Sequence, residues 1–308
     1  MNKTLKIVRV VVSIAAFVLL GVGLTCALWF VPGVDNLLCD IQFGPAVLGM
    51  SIVTVISWLL ITVIFGRIYC STVCPMGTLM DVSVRVSKLS KRGRNRVFRY
   101  EAPDVKIRYV FLVVTVVSVL VGFMFLPSVL DPYNLFCRIC ESVFNPILLF
   151  FARKLGEFGI ESQYAAMAVS SSVASSILAT LLFATTVAVS MMFGRVICNT
   201  MCPIGTILGL FSRYSIFQFE IDTDLCTQCR KCEYVCKSHC IDMQDHVVDG
   251  SRCVVCFNCT DVCPNGAMRY TTSRKSLSAP LMQRIKTLNK QAEPSYDSVN
   301  PISKKLKK

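Results

Sequence analysis

Nine of the chain's 17 cysteines fall between residues 226 and 263, eight of them in a spacing that can hold metal. Residues 226–236 read Cys-x-x-Cys-x-x-Cys-x-x-x-Cys, and residues 253–264 read Cys-x-x-Cys-x-x-Cys-x-x-x-Cys-Pro. In such a run three thiolates converge on one iron–sulfur cubane, and the fourth reaches the other cluster of a pair. The spacing assigns Cys226, Cys229, Cys232 and Cys263 to one [4Fe-4S] cluster, and Cys253, Cys256, Cys259 and Cys236 to a second. Two zinc sites are the rival reading, since zinc also accepts four cysteines. A third cysteine two residues on and a fourth four residues later, twice over, fits zinc knuckles poorly. Lys237 stands where the second run has Pro264, a departure that leaves the ligand count intact.

A second set of cysteines lies in an internal repeat. Gly66 to Thr78 recurs as Gly194 to Thr206 in the form G-R-x-x-C-x-T-x-C-P-x-G-T, carrying Cys70 and Cys74 in one copy and Cys198 and Cys202 in the other. Cysteines four apart share a helix face, and proline disfavours helix at the residue before it. Each motif is therefore expected where a helix breaks. Pseudo-symmetry would bring the four thiols together as a further metal or redox centre. Plain packing residues and a thiol–disulfide relay are the alternatives, and the eight shared positions argue against packing alone.

The remaining cysteines carry less. Cys39, Cys137 and Cys140 fall in outer loops and admit a disulfide or a redox role. Cys26 and Cys240 read as small buried residues, and His239 and His246 as surface or structural side chains. No histidine lies in or near an apolar segment, so bis-histidine haem b has no ligands there, and no C-x-x-C-H offers haem c attachment. Nucleotide-binding glycine motifs are absent as well.

The elements that must position these thiols are of two kinds. Phe217 to Asp222, Val247 to Asp249 and Met268 to Thr272 read as short strands framing the dense runs. Residues 213–272 are thus expected to be a small α+β domain of the bacterial 2[4Fe-4S] ferredoxin type. Residues 1–212 read as membrane α-helical. Only 17% of the chain is charged against 54% hydrophobic, where a soluble chain carries about 25% charge. Val10 to Val34, Ile41 to Gly66, Tyr109 to Leu130 and Ser162 to Gly194 lack charge over the roughly 20 residues that a bilayer crossing needs. They predict four transmembrane helices as two repeated hairpins, the first a retained helix rather than a cleaved signal. Phe144 to Ala152 is too short to span and reads as interfacial.

Of the 32 Lys and Arg, 29 fall on the side that holds both termini, with 13 acids; the two opposite loops hold 3 basic residues and 6 acids. The positive-inside rule then places both termini and the dense cysteine runs in the cytoplasm. The run Arg85, Lys88, Lys91, Arg92, Arg94, Arg96 and Arg99 reads as a topology determinant touching anionic lipid, in preference to a nucleic-acid site. The basic stretch 273–308 is expected to be a disordered tail.

Two G-R-x-x-C-x-x-x-C-P motifs on apolar helices, followed by a double cluster run, resemble the NapH/MauN-type membrane ferredoxins, whose core also occurs in the NosR-type proteins. Asp131-Pro132-Tyr133-Asn134-Leu135 matches the family's outer-loop motif. The resemblance implies a multi-pass protein of the bacterial inner membrane that passes electrons between the quinol pool and partner redox proteins, as a subunit of a quinol dehydrogenase. An assembly or regulatory role for a respiratory metalloenzyme is the alternative it also implies. Copper-reducing membrane ferredoxins share part of the motif grammar but carry an extra β-domain, for which residues 273–308 are too short and polar.

Overall fold

The computed structural model describes residues 2–24, 41–49, 51–90, 93, 97–102, 105–144, 146–147 and 173–272. Cys26, Cys39, most of Phe144 to Ala152, and the tail 273–308 lie outside the described residues. So do residues 25–34 and 162–172 of two expected spans, and Lys91, Arg92, Arg94 and Arg96 of the basic run.

Helix α1 (Asn2–Leu24) leads to a short α2 (Phe43–Leu48) and then α3 (Ile52–Phe65). The first cysteine motif follows on α4 (Tyr69–Thr72) and α5 (Pro75–Ser87). Next come α6 (Val105–Leu120), α7 (Phe125–Leu130), α8 (Pro132–Ile139) and a π turn at Cys140–Phe144. Helix α9 (Val173–Phe193) carries the chain to the second motif on α10 (Val196–Thr200) and α11 (Pro203–Ser212).

Among the described residues, two helices, α1 and α9, are long and apolar enough to cross a membrane. They present Val11, Ile14 and Val18, and Ile177 and Leu181, outward with about half or more of their surface exposed. The other two expected spans are broken. Ile41 to Gly66 splits at Gly49–Ser51: Pro45 lies in α2, and the Gly49 amide ends that helix on the Pro45 carbonyl. The 14 residues of α3 would reach about 21 Å. Tyr109 to Leu130 turns at Gly122, whose φ of 81° favours glycine, so α6 and α7 are separate. Helix α6 also starts earlier than expected, at Val105, because the charge of Arg108 is buried against protein.

The repeat is visible as reciprocal packing. Helix α9, before the second motif, packs on α5, after the first; α11, after the second motif, packs on α3, before the first. Likewise α1 lies on α4 and α5, and α6 on α10 and α11.

The carboxy-terminal unit sits on the ends of these helices. Strand β1 (Gln218–Ile221) pairs antiparallel with β4 (Met268–Thr271), and β2 (Ile241–Asp242) with β3 (Val247–Val248). Short helices α12 (Lys231–Tyr234) and α13 (Asn258–Val262) carry Cys232 and Cys259. The expected strands are present within a residue or two, and β2 is the one the sequence reading missed. A helix leaves its last carbonyls without intrahelical partners. Those of α3 are taken by the unit: the amides of Ile216 and Phe217 donate to Val63 and Ile64 at 2.8 and 2.9 Å, and the Tyr270 hydroxyl donates to Phe65 at 2.8 Å.

Candidate iron-sulfur centres

Both dense runs wind the same way. Gln228 and Arg230 flank Cys229, and Val255 and Phe257 flank Cys256, all four with φ between 52° and 58°. Left-handed backbone is unfavourable for non-glycine residues, above all for β-branched Val255, and such strain persists where function holds it. The winding brings thiols together as the spacing predicts. One cavity is lined by Cys226, Cys229, Cys232 and Cys263, the last coming from the other run. A second is lined by Cys253, Cys256 and Cys259 with Cys236 from the first run. Among the described residues, no three Cys, His, Asp or Glu side chains meet at the spacing of a single metal ion. Two cavities, each bringing together the four thiols of one expected ligand set and not closed to a point, fit cubane clusters better than mononuclear zinc.

Cys240 is the small buried residue that the sequence suggests, and it also has a place among the thiols. It is 2% exposed, lines the second cavity, and places Sγ 3.4 Å from that of Cys236. Hydrogen bonding by this thiol holds the Cys236 thiol below its usual range. Spacing gave no hint of it, because the equivalent residue in the second half is Ala267. His239 is structural: its ring nitrogens lie 2.7 and 3.0 Å from the carbonyls of Arg99 and Phe193, tying the unit to the end of α9. His246 stands 3.4 Å from Gln228 at the surface.

The paired motifs also meet. Cys70, Cys74, Cys198 and Cys202 line one cavity of about 160 Å³, together with Met76, Met80 and Met201. The two cysteines of a motif do not share a helix, however. Cys70 and Cys198 lie within α4 and α10, while Cys74 and Cys202 are extended N-caps of α5 and α11, each followed by proline at the first helical position. Proline is at home there, and it forces the break.

The remaining motif residues have mechanical roles. A Cβ on Gly77 would stand 2.2 Å from the Cys70 carbonyl oxygen, and one on Gly205 2.3 Å from that of Cys198. Only glycine lets the two short helices of each motif approach so closely. The motif arginines are exchanged between copies. Arg195 donates to the carbonyls of Cys70 and Gly77 at 2.7 and 3.1 Å and to Asp81 at 2.9 Å. Arg67 donates to Asn199 Oδ1 at 2.9 Å and to the carbonyl of Cys198 at 3.5 Å.

These contacts reach the carboxy-terminal unit. Arg67 also donates to the Ser251 carbonyl at 3.0 Å, two residues before Cys253, and Arg195 receives the Lys237 carbonyl on its amide at 2.9 Å. Val254 is buried in the same apolar cluster as Cys70 and Cys74, and Cys256 packs against it. The second thiol cavity therefore adjoins the paired motifs. Cys229, on the first cavity, is exposed to solvent.

Of the cysteines expected in outer loops, Cys140 is fully buried and Cys137 half-buried. Asp131 caps α8 by accepting the Asn134 amide at 3.0 Å, which gives the Asp131-Pro132 pair a structural reason.

Residues 47–95 and 176–221 match a family described as a 4Fe-4S binding domain. Each matched segment contains one copy of the repeat and ends before Cys226. An uncharacterized protein of Methanocaldococcus jannaschii is 33% identical over 32% of this chain and 39% of its own length. A second uncharacterized protein from that organism is 23% identical over 75% of this chain and 82% of its own length. A candidate electron transport protein of Escherichia coli strain K12, YccM, is 23% identical over 76% of this chain and 59% of its own length. The chain thus spans well under two thirds of the first of these relatives. No solved structure matches. The family match indicates an iron–sulfur protein of the 4Fe-4S type.

Proposed function

We propose that the chain is a membrane-bound iron–sulfur electron-transfer protein of the NapH/MauN type. In this reading it spans the bacterial inner membrane four times, as two hairpins, with both termini and the carboxy-terminal unit in the cytoplasm. Cys226, Cys229, Cys232 and Cys263 hold one [4Fe-4S] cluster, and Cys253, Cys256, Cys259 and Cys236 the other. Cys70, Cys74, Cys198 and Cys202 hold a third redox centre. Iron–sulfur clusters, when bound, take up and release single electrons.

One observation carries this reading: the thiol cavities form a series. The paired-motif cavity adjoins the loop of Cys253 to Cys256, that loop adjoins the cavity completed by Cys232 and Cys263, and Cys229 opens to solvent. The residues between them exclude water and fix the spacing. A soluble redox protein would meet the Cys229 end, and a membrane donor such as quinol, implied by the family resemblance, the other. Anaerobic purification followed by iron, labile-sulfide and EPR measurement tests the reading. At least the iron of two clusters is expected, and its absence from intact protein would end it.

The second reading, a factor for maturation of a respiratory metalloenzyme, keeps the same centres. Deleting the gene and assaying the purified partner enzyme with artificial donors separates the two. An active enzyme favours electron delivery, and an inactive one favours maturation.

A further inference from the structure

Five cationic side chains are buried around the paired motifs: Arg9, Arg67, Arg108, Arg195 and Lys237, none more than 8% exposed. Three of them share one carboxylate, Asp81, which lies within 3.4 Å of Arg9, 2.9 Å of Arg195 and 3.2 Å of Lys237. Among the described residues, Arg67 and Arg108 have no carboxylate within ion-pair distance. The pseudo-symmetry sharpens the imbalance. The position of the second copy that corresponds to Asp81 is Gly209, and a Cβ there would stand 1.9 Å from the Arg108 guanidinium. Where one copy has an acid, the other has the space for a second cation.

Buried charge without a counter-charge is costly. Arg67 is fully buried, hydrogen-bonds only to neutral groups, leaves Nε unpartnered, and places Nη2 3.9 Å from Cys70 Sγ. A cubane held by four thiolates is anionic in both redox states and becomes more so on reduction. Resting on the reading above that the paired motifs hold a redox centre, we propose that Arg67 is the counter-charge of an anionic, thiolate-ligated centre on Cys70, Cys74, Cys198 and Cys202 and sets its reduction potential. Arg195, neutralised by Asp81, holds the two copies together and has no such effect.

The test is an EPR-monitored redox titration of the full chain in detergent, purified without oxygen and reduced with dithionite, for wild type, Arg67→Gln and Arg67→Lys. A Cys74→Ser variant identifies the signal of the paired-motif centre. The Gln variant is expected to lower that centre's midpoint so that its reduced-to-oxidised ratio at fixed potential falls about ten-fold, 59 mV for one electron. The Lys variant is expected to keep the midpoint within roughly half of that shift. The signals of the Cys226 to Cys263 clusters report that each variant is folded. Loss of the paired-motif iron in the Gln variant alone also supports the proposal. An unchanged midpoint in Arg67→Gln, or equal effects of Gln and Lys, overturns it. Wild-type protein with the iron of only two clusters refutes the underlying third centre instead, and the proposal with it.

Discussion

Replacing Asp81 with Asn removes one negative charge and leaves the shape of the site almost unchanged, so its effect isolates electrostatics. The carboxylate is 7% exposed and lies within 3.4 Å of three cations drawn from three parts of the fold: Arg9 on α1, Arg195 at the second motif, and Lys237 beside Cys236. Breaking a buried ion pair by removing one partner costs about 3–5 kcal/mol, since the remaining charge stays buried and unmatched. At roughly 2–4 °C per kcal/mol, the midpoint of thermal unfolding should fall by roughly 6–20 °C. The penalty should be larger in metal-free protein, where no thiolate-bound centre shares the cations. Burial alone would raise the Asp81 carboxyl, but Arg195 and Lys237 outweigh it and hold it well below the usual range. A lowered folded value means that the stabilisation is fully present above the ordinary carboxylate range and is lost only as pH falls through the low folded value. The difference between wild type and Asp81→Asn is therefore expected to be flat across neutral pH and to shrink only in strong acid. The assay is thermal unfolding in detergent at several pH values, followed by tryptophan fluorescence and release of the cluster chromophore. A variant that melts within about 2 °C of wild type at neutral pH, where the cited cost predicts far more, would refute the claim that this carboxylate ties the three elements together.

Other consequences follow from contacts at the thiol cavities. Gly77→Ala and Gly205→Ala each push a methyl group against a cysteine carbonyl at 2.2 and 2.3 Å, so each should destabilise the protein by about 1–3 kcal/mol in denaturant unfolding, whereas Gly21→Ala, with nothing within 4 Å, should not. Cys240→Ala should leave the iron content unchanged. It should lower the midpoint of the cluster proposed on Cys253, Cys256, Cys259 and Cys236, because the thiol 3.4 Å from Cys236 no longer hydrogen-bonds to it; a net hydrogen bond of about 1 kcal/mol corresponds to on the order of 40 mV. Potentiometry of that single signal checks it.

The grouping of the thiols was legible in the sequence because cysteine spacing within a tight loop is a local property. Three cysteines at two-residue gaps can converge without help from distant chain, so the four motif cysteines at each cavity, though not Cys240, could be read from residues 226–263. The repeat was legible for the same reason, and it foretold that Cys70, Cys74, Cys198 and Cys202 would line one cavity. Helix lengths were less legible. Absence of charge from Ile41 to Gly66 and from Tyr109 to Leu130 could not reveal that Pro45 with Gly49, and Gly122, interrupt the helices, nor that Arg108 is buried inside protein and so begins one.

Tertiary structure alone decided what the motif arginines and glycines do. Arg67 and Arg195 each serve the other copy of the repeat, and Gly77 and Gly205 are fixed by carbonyls that only the folded break brings near. It also decided the neighbours of the thiols: Cys240 against Cys236, the loop of Cys256 against the paired motifs, and three buried cations around Asp81. Charge balance is a sum over space. The sequence determined which residues could bind metal, and the fold determined how much positive charge surrounds them, because that sum depends on packing between segments more than a hundred residues apart.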